Sequence, residues 1–324
     1  MPGARILVLG AGSAGRRHVR HLATAGAEVV VADPDPDRAV AARSDGAAGA
    51  IAPDRAFDDR WDGVVVASPS AAHAAQVAAA RTAARRVLVE KPLAVSCASA
   101  DALAEADDGR VAVGYNLRFH PPVRRVVDAA HAGRLGQVIS ARVWFGQWLP
   151  DWRPGTDWRA SYSARRDLGG GILLDASHEL DLVCWLFGGG RLDVVGAVVD
   201  RRGPLEMDVE DTVAALLAGP GGAPVTVDLD CLSRRYRRGI EVVGTEATMR
   251  LDWARSVVEL EDGRSIETWP ADTPIDDSYG EQARRFLAWI DGGDPLPVDA
   301  SSGAATVALA GAIRETALAD MSRR

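Results

Sequence analysis

The stretch Ile6-Leu-Val-Leu-Gly10-Ala-Gly12-Ser-Ala-Gly15 decides the fold of the N-terminal part of this chain. Its four apolar residues predict a buried β-strand, and the glycines lead into a predicted helix that extends to about Ala25. The first glycine permits a tight turn, the second lets a ligand approach the backbone, and the third lets helix and strand pack closely. The N–H groups that open the helix, including those of Ser13 and Ala14, favour a bound pyrophosphate.

Asp33 lies about 20 residues beyond the glycine turn, at the end of a second predicted strand, Glu28–Ala32. A carboxylate at that position normally accepts hydrogen bonds from the ribose hydroxyls of adenosine and repels a 2′-phosphate. The turn and Asp33 together predict a dinucleotide site that prefers NAD. Arg38 is a nearby cation that could pair with a phosphate, which keeps NADP as the less favoured alternative.

The order of predicted elements gives the fold class, which is α/β. Short apolar runs alternate with helical segments up to residue 119 and predict a Rossmann domain with a doubly wound parallel sheet. From residue 120 to 324, strands in series predict a substrate-binding and oligomerisation domain of α+β type with a large, mostly antiparallel open sheet. The C-terminal helix could pack back on the first domain. Two further predictions are a single helix at Ile172–Phe187 and helical structure through Asp35–Ala50.

Composition restricts the classes of partner. The 324 residues carry a net charge of −8, with a pI of about 5.3. Such a balance argues against nucleic acid and against an anionic membrane surface as partners. Three cysteines without metal-ligand spacing predict reduced thiols and no metal site. The sequence shows no signal peptide and no apolar run long enough to span a bilayer, so we expect a cytoplasmic protein.

Lysine occurs once in the chain, at position 91, among 37 basic side chains. Arginine has replaced lysine everywhere that a cation suffices, but arginine cannot release its proton, whereas a desolvated lysine can be tuned toward a pKa of roughly 7–8. Lys91 follows a predicted buried strand, Val87–Val89. Its single occurrence and this position together predict a proton-transfer residue. The alternative is a surface lysine retained by chance.

Two other segments carry candidate polar groups. Ser68 and Pro69 follow the fourth strand, at the edge where doubly wound sheets bind ligands. His73 falls in the first turn of the next helix, where it either supports the helix start or approaches the cofactor. His18 and His21 lie on the first helix and read as packing or surface residues.

The segment Gly169–Asp181 begins with three glycines and continues into the predicted helix. Asp175, His178 and Asp181 are spaced by three and would share one helical face. One histidine between two carboxylates suits a proton relay, because a carboxylate fixes the imidazole tautomer and stabilises its charged form. The alternative is a helix start with favourable acids and one satisfied histidine.

The predicted loop Gln147–Gly171 is rich in tryptophan and arginine. Tryptophan faces pack on sugar rings, and arginines bind phosphate or carboxylate, so this loop predicts contacts to an anionic sugar. The candidate substrate contacts are Trp148, Trp152, Arg153, Trp158 and Arg159. The same residue types are enriched at oligomer interfaces, which is the equal alternative.

The sequence resembles the Gfo/Idh/MocA family, the group of glucose-fructose oxidoreductase, inositol dehydrogenase and rhizopine catabolism proteins. The resemblance spans essentially the whole chain. The residues that carry it are Gly10–Gly15, Ser68-Pro69 with His73, Glu90-Lys91-Pro92, Gly114–Pro121 and Gly169–Asp181.

This resemblance implies roles for several residues. Lys91 would be the acid/base, and Asp175 and His178 would contact the substrate or relay protons to it. Asn116 and Arg118 would lie near the nicotinamide and the substrate. The family usually has four positions from that aspartate to the histidine, whereas this chain has three and places Glu179 at the fourth.

The resulting hypothesis is an NAD(H)-dependent oxidoreductase that interconverts a secondary alcohol and a ketone on a sugar-like molecule. Lys91 is its acid/base, Glu90 and Asn116 belong to the cofactor site, and Arg118 and Asp181 belong to the substrate site. Two alternatives stay open: a non-catalytic sugar or nucleotide sensor, and a glycosidase or epimerase that uses bound NAD transiently. The resemblance and the open sheet favour a homodimer or homotetramer.

Overall fold

The computed structural model of the protein describes residues 3–189 and 192–322. Their internal contacts define two compact units, the first within residues 1–119 and 275–304, the second within 120–274 and 305–324. One unit holds a parallel sheet and the other a mostly antiparallel sheet, so the predicted fold class is confirmed. The division into folding domains at residue 119 stays a prediction.

The first unit is built on parallel strands. They are β1 (Arg5–Leu9), β2 (Glu28–Ala32), β3 (Gly49–Ile51), β4 (Trp61–Val66), β5 (Ala84–Val89) and β6 (Val111–Val113). Its helices are α1 (Ser13–Thr24), α2 (Pro36–Ala41), α3 (His73–Ala83), α4 (Cys97–Ala106) and α8 (Ile275–Ile290). In the described chain the strand order is β3-β2-β1-β4-β5-β6, with every adjacent pair parallel.

The core of this unit explains its apolar strands. Helices cover both faces of the sheet, so the strands are continuous runs of buried aliphatic residues rather than alternating ones. The core includes Ile6 and Val8 of β1 and Phe286 and Ile290 of α8. Gly63 lies in β4 because a Cβ there would meet the Ile290 and Phe286 side chains at 2.7 and 2.9 Å.

The parallel arrangement brings the predicted polar residues to one edge. Gly10 follows β1, Asp33 follows β2, Ser68 follows β4 and Lys91 follows β5. The chain leaves β1 toward β2 on one side and later occupies β4 on the other, which makes a topological switch point between β1 and β4. Open α/β sheets bind ligands in the crevice at that point.

The second unit contains helices α5 (Pro121–His131), α6 (Ile172–Asp175) and α7 (Ser177–Leu186). Its strands are β7 (Val138–Gly146), β8 (Asp193–Asp200), β9 (Thr212–Ala218), β10 (Pro224–Asp230), β11 (Arg237–Gly244), β12 (Thr248–Asp252), β13 (Val257–Glu261) and β14 (Ile266–Pro270). Within the described residues they pair in the order β14-β13-β12-β11-β7-β10-β9-β8, and only β7 and β10 are parallel. The last helix, α9, comprises Ala300–Met321.

Alternation along these strands positions the second sheet. In β9, Val213, Ala215 and Leu217 are buried, while Leu216 is 40% exposed. One face of the sheet therefore holds the apolar core, and α6 and α7 pack against its strands. These two helices carry the triple-glycine segment and the candidate relay residues.

Several predicted elements need correction. The predicted helix Ile172–Phe187 is broken at Ala176, whose φ of −90° and ψ of 29° are not helical. The helical structure predicted for Asp35–Ala50 gives way to strand β3 at Gly49. Strand β14 and helix α4 were not predicted. Within the described residues, none of the helices combines the length and apolar character that a membrane crossing requires.

Candidate active site

The glycine turn between β1 and α1 has the shape that a pyrophosphate needs. Gly10 has a φ of +94°, and a Cβ there would lie 2.7 Å from the carbonyl oxygen of Ala67. A Cβ on Gly12, by contrast, would meet nothing within 4 Å. In the described chain no side chain caps α1, so the backbone N–H groups of Ser13 and Ala14 point outward from an uncapped helix start.

Asp33 completes this half of the site at the end of β2. It is 8% exposed, and its two carboxylate oxygens accept hydrogen bonds from the N–H groups of Ala11 (2.6 Å) and Asp35 (2.8 Å). Each oxygen keeps a second lone pair for a ribose hydroxyl. The nearby Arg38 is paired with Asp35 at 3.2 Å. The open space at Gly12 and the fixed carboxylate fit NAD.

His73 joins the loops that follow β4 and β5. It is 1% exposed, and its Nδ1 and Nε2 lie 2.7 and 3.0 Å from the carbonyl oxygens of Pro92 and Ser68. Burial lowers the pKa of His73, against the two carbonyl contacts, which favour the charged form. His73 thus braces Ser68, Pro69 and Pro92, and a direct contact with the cofactor stays a prediction.

Lys91 is half-buried, directly after Glu90, and the Lys91–Pro92 peptide is cis. Oε2 of Glu90 accepts the Lys91 N–H at 3.2 Å, and Oε1 lies 2.7 Å from Nε2 of His18. Burial raises the pKa of Glu90, but the hydrogen bond and charge of His18 and the charge of Lys91 outweigh it and leave that pKa below its usual range.

His18 is therefore a site neighbour that our sequence analysis assigned to packing or the surface. It is 1% exposed and lies on the inner side of α1, where Gly15, Val19 and Leu22 are also buried. A histidine placed among the apolar positions of that helix was the signal available in the sequence. Its partner, Glu90, is 72 residues away along the chain and could not be read from the pattern.

Asn116 and Arg118 lie in a short turn after β6. Asn116 is 1% exposed and donates its Nδ2–H to the Ser278 hydroxyl at 2.7 Å. Its Oδ1 is buried and has no hydrogen-bond partner among the described residues. A bound donor could satisfy that oxygen, which is consistent with a place in the cofactor site. Arg118 donates to the carbonyl oxygen of Pro297 at 3.3 Å.

In the second unit the triple glycine permits close packing of the protein's own loop. A Cβ on Gly170 would collide with the backbone oxygens of Tyr162, Ser163 and Arg165. Gly171, with a φ of +106°, faces the Glu210 carboxylate. The glycines thus let the preceding loop lie directly on the start of α6.

The break at Ala176 separates the three candidate relay residues. Asp175 ends α6, whereas His178 and Asp181 lie on α7, so the single helical face predicted for all three is wrong. Asp175 and Asp181 are 9% and 1% exposed, and His178 is half-buried. Of these three side chains, His178 is the one with surface available to a ligand. The hydroxyl of Tyr162 donates to Oδ1 of Asp175, a contact that the sequence did not indicate.

Glu179, the residue at the four-spaced position, has a different partner. Its Oε1 accepts a hydrogen bond from Nε of Arg238 at 2.6 Å, and the two residues are 1% and 8% exposed. The guanidinium lies over the rings of Phe145 and Trp253, at 5.4 and 5.3 Å. Glu179 is therefore held in a buried ion pair rather than presented to a ligand.

Two tryptophans of the Gln147–Gly171 segment, Trp148 and Trp158, each have an arginine over one ring face. The Arg234 guanidinium lies 3.5 Å from the ring centre of Trp148, and Arg159 lies 4.6 Å from that of Trp158. Trp152 donates its Nε1–H to the Gln147 carbonyl at 3.0 Å. The two arginines occupy ring faces of Trp148 and Trp158 that we predicted to pack on a sugar.

The two arginines predicted to bind an anion differ in their partners. Arg159 pairs with Glu206 at 2.8 Å. Arg153 lies 5.4 Å from the ring centre of Tyr162, and within residues 3–189 and 192–322 no carboxylate lies at ion-pair distance from it. Arg153, Tyr162 and Asp175 therefore form a connected group with an uncompensated cation at one end.

A glycine turn, a buried carboxylate after β2 and a lysine after β5 lie at one edge of a Rossmann sheet, an arrangement typical of nicotinamide-dependent oxidoreductases. Residues 4–115 match the oxidoreductase family with an NAD-binding Rossmann fold, and residues 123–250 match the GFO/IDH/MocA C-terminal domain. The chain belongs to the Gfo/Idh/MocA family, which confirms the resemblance seen in the sequence. It is an NAD-binding oxidoreductase.

Individual relatives agree with this assignment. The chain is 32% identical over 270 residues to an inositol 2-dehydrogenase of Acidothermus cellulolyticus, covering 78% of this chain and 74% of the relative. It is 28% identical to GenD2 from gentamicin A biosynthesis, solved in complex with NAD, with a TM-score of 0.83 over 98% of this chain and 95% of that one. A levoglucosan dehydrogenase complex with NADH and levoglucosan has the same fold, with a TM-score of 0.86, 23% identity, and coverage of 98% and 97%.

Proposed function

We propose that this protein interconverts a secondary alcohol and a ketone on a sugar-like substrate, with NAD(H) as the redox partner and Lys91 as the acid/base. The observation that carries the proposal is the position of Lys91. The only lysine of the chain follows β5 at the same sheet edge as Gly10 and Asp33. That edge is where a cofactor bound to the glycine turn would extend.

The reaction needs two transfers from one carbinol group. NAD, when bound at the glycine turn, would supply the two-electron acceptor for the hydrogen of the carbinol carbon and its electron pair. Lys91, as the free amine, takes the hydroxyl proton, and the C–O bond becomes the carbonyl of the ketone. In the reverse direction the Lys91 ammonium returns that proton to the carbonyl oxygen.

We assign substrate binding to the second unit. His178 has surface available on α7, and Asp181 lies one turn further along the same helix, where both can share a face. Asp175 accepts from Tyr162, so the Tyr162 hydroxyl is oriented and can accept a hydrogen bond in turn. A polyhydroxylated ring presents several hydroxyl groups that the partly exposed His178 and Tyr162 can bind, with the buried Asp175 orienting Tyr162.

The substrate class that these residues favour is an anionic sugar derivative, such as a sugar nucleotide or an acidic sugar. Arg153 supports it, because its guanidinium has no carboxylate partner in the described chain and lies over Tyr162. Relatives named for inositol and levoglucosan support a ring with several hydroxyl groups. A neutral cyclitol is the alternative among sugar-like substrates.

The test is NADH release by the purified enzyme with matched ring pairs, such as glucuronate against glucose and a sugar nucleotide against its free sugar. We expect stoichiometric NADH in solution and higher kcat/KM for the anionic member of each pair. Preference for the neutral members would overturn the anionic class. Binding without any NADH release would favour a sensor, and product formation without net NADH would favour transient use of bound cofactor.

A further inference from the structure

Two buried ionisable side chains lie next to Lys91 in the first unit. His18 on α1 and Glu90 after β5 are 1% and 5% exposed, and Nε2 and Oε1 are 2.7 Å apart. The other oxygen of Glu90 accepts the backbone N–H of Lys91 at 3.2 Å. The Glu90 carboxylate therefore connects helix α1, which follows the glycine turn, to the proposed acid/base.

Among the residues that the structure describes, the other ionisable groups near this pair come from α1, α3 and α8. The Tyr279 ring of α8 meets His18 edge-on, with centroids 5.6 Å apart, and Arg17 of α1 lies 4.7 Å from the Tyr279 ring centre. Burial raises the pKa of Tyr279, so its phenol is neutral at physiological pH. The charge of Glu90 also acts on His73 of α3, whose two ring nitrogens face backbone carbonyls.

A carboxylate in this position poses a problem for the proposed function. A negative charge within about 4–6 Å of a lysine stabilises the ammonium form and raises its pKa by roughly 1–3. A base at neutral pH requires the opposite. A histidine hydrogen-bonded to that carboxylate can cancel the charge, because histidine gains and loses a proton near neutrality.

We propose that His18 is a positioning residue that shares one proton with Glu90, so that the pair carries no net charge and Lys91 titrates nearer neutrality than it would beside an uncompensated carboxylate. This inference rests on the proposed acid/base role of Lys91. The histidine acts through Glu90 and needs no contact with the substrate.

The single lysine makes the test direct. Protein labelled with lysine carrying ¹³C at Cε gives one side-chain resonance, from Lys91, provided that any affinity tag lacks lysine. The chemical shift of that carbon is followed against pH in the NAD⁺ complex. We expect His18→Gln to raise the lysine titration midpoint by about one pH unit, because Glu90 is then uncompensated. An unchanged midpoint would overturn the proposal.

Glu90→Gln is the second variant. It distinguishes a neutral His18–Glu90 pair from an uncompensated Glu90 charge even if His18→Gln fails to fold. If the pair is neutral, removing the carboxylate and with it the shared proton leaves the Lys91 midpoint unchanged. If Glu90 is an uncompensated charge, the midpoint falls by about one pH unit, and the proposal is wrong. His21→Gln is the matched control on α1, since His21 pairs with Asp276 at 2.9 Å and should leave the midpoint unchanged.

This readout separates two kinds of failure. Turnover by Lys91→Arg at the parent rate would remove the acid/base role, whatever the titration shows. Loss of turnover in that variant, together with an unmoved midpoint in His18→Gln, would leave the proposed function intact and reject only the role of His18.

Discussion

Two buried glutamates can be compared, because each is adjacent in sequence to a residue with a proposed chemical role and lies close to a basic side chain. Glu90 precedes Lys91 and lies 2.7 Å from His18, whereas Glu179 follows His178 and lies 2.6 Å from Arg238. The two distances are nearly equal, so any difference in how the pairs respond to pH comes from the chemistry of the basic partner. Histidine can release its proton near neutrality and arginine cannot.

The arginine pair behaves as fixed structure. Burial lowers the pKa of Arg238, but the charge of Glu179 outweighs it, and the net shift is upward. Two aromatic rings flank the guanidinium and exclude water from it. Arg238 therefore keeps its proton across the pH range in which proteins are folded, whereas a histidine such as His18 can gain or lose a proton near neutrality. Four experiments test this distinction.

The largest effect is expected at Lys91, the proposed acid/base next to the His18–Glu90 pair. Lys91→Arg keeps the positive charge beside Glu90 but removes the ability to deprotonate, so kcat should fall about 10²–10⁴-fold. NAD binding, measured by calorimetry, should stay within a few-fold of the parent. If turnover also stays within a few-fold of the parent, Lys91 is not the acid/base. The difference between the two glutamate pairs would then have no consequence for catalysis.

The second experiment breaks the fixed pair. Arg238→Met leaves Glu179 charged in an apolar surrounding and should lower the free energy of unfolding by about 3–5 kcal/mol. The double variant with Glu179→Met should recover most of that loss, because a well-packed apolar pair can replace a buried ion pair. Urea unfolding measures both.

An exposed pair gives the control for that experiment. Arg255 and Glu259 lie 2.9 Å apart with side chains 54% and 24% exposed. Arg255→Met should leave the free energy of unfolding nearly unchanged, because a solvent-exposed ion pair contributes little net stability. A loss as small as this in Arg238→Met would show that the buried pair is not structural.

The same two pairs show what the sequence could and could not predict. The glycine turn and Asp33 were predictable because local chain geometry and one adjacent strand define them. The His18–Glu90 and Glu179–Arg238 pairs join residues 72 and 59 positions apart, and only the packed fold brings them together. The single lysine made Lys91 a candidate and helical spacing made His178 one, but neither observation indicated the groups that surround them.

The break at Ala176 marks another limit. Helical spacing predicted one face for Asp175, His178 and Asp181, yet nothing in the run Ile172–Phe187 is a helix breaker such as proline or glycine until its end. The break places Asp175 against the Tyr162 hydroxyl, a contact made by a loop that packs on the triple glycine. A tertiary contact of this kind overrides local helix propensity.

The third experiment applies the same reasoning to the loop arginines. Arg153 has no carboxylate partner in the described chain and Arg159 is paired with Glu206 at 2.8 Å. Arg153→Ala should raise KM for an anionic substrate about tenfold to a hundredfold, the loss of about 1.5–3 kcal/mol expected for a hydrogen bond to a charged group. Arg159→Ala is the control and should leave KM unchanged.

Sizing chromatography decides the alternative for this loop. If Arg153→Ala dissociates into smaller species and binds substrate as the parent does, the loop is an oligomer interface. Equal KM increases in both variants would show that the Glu206 pairing does not remove Arg159 from substrate binding.

The smallest expected effect is the loss, at acid pH, of the free energy of unfolding that the His18–Glu90 pair contributes. The pKa of Glu90 in the folded protein lies below its ordinary value of 4.5, because the hydrogen bond and charge of His18 outweigh the opposing effect of burial. A carboxylate with a depressed pKa stabilises the fold at pH above 4.5, and that contribution disappears as the pH falls through the folded-state pKa. We therefore expect the parent to exceed Glu90→Gln in free energy of unfolding at pH 6, with the difference shrinking as the pH is lowered toward 3.

Asp230 also has a depressed pKa, because its bonds to Arg237 and nearby backbone N–H groups outweigh burial. Asp230 is present in both proteins, so its contribution cancels in the comparison. Urea unfolding at a series of pH values measures the difference, and a gap that stays constant across the range would mean that Glu90 does not titrate with the fold and that its pair is as fixed as that of Glu179.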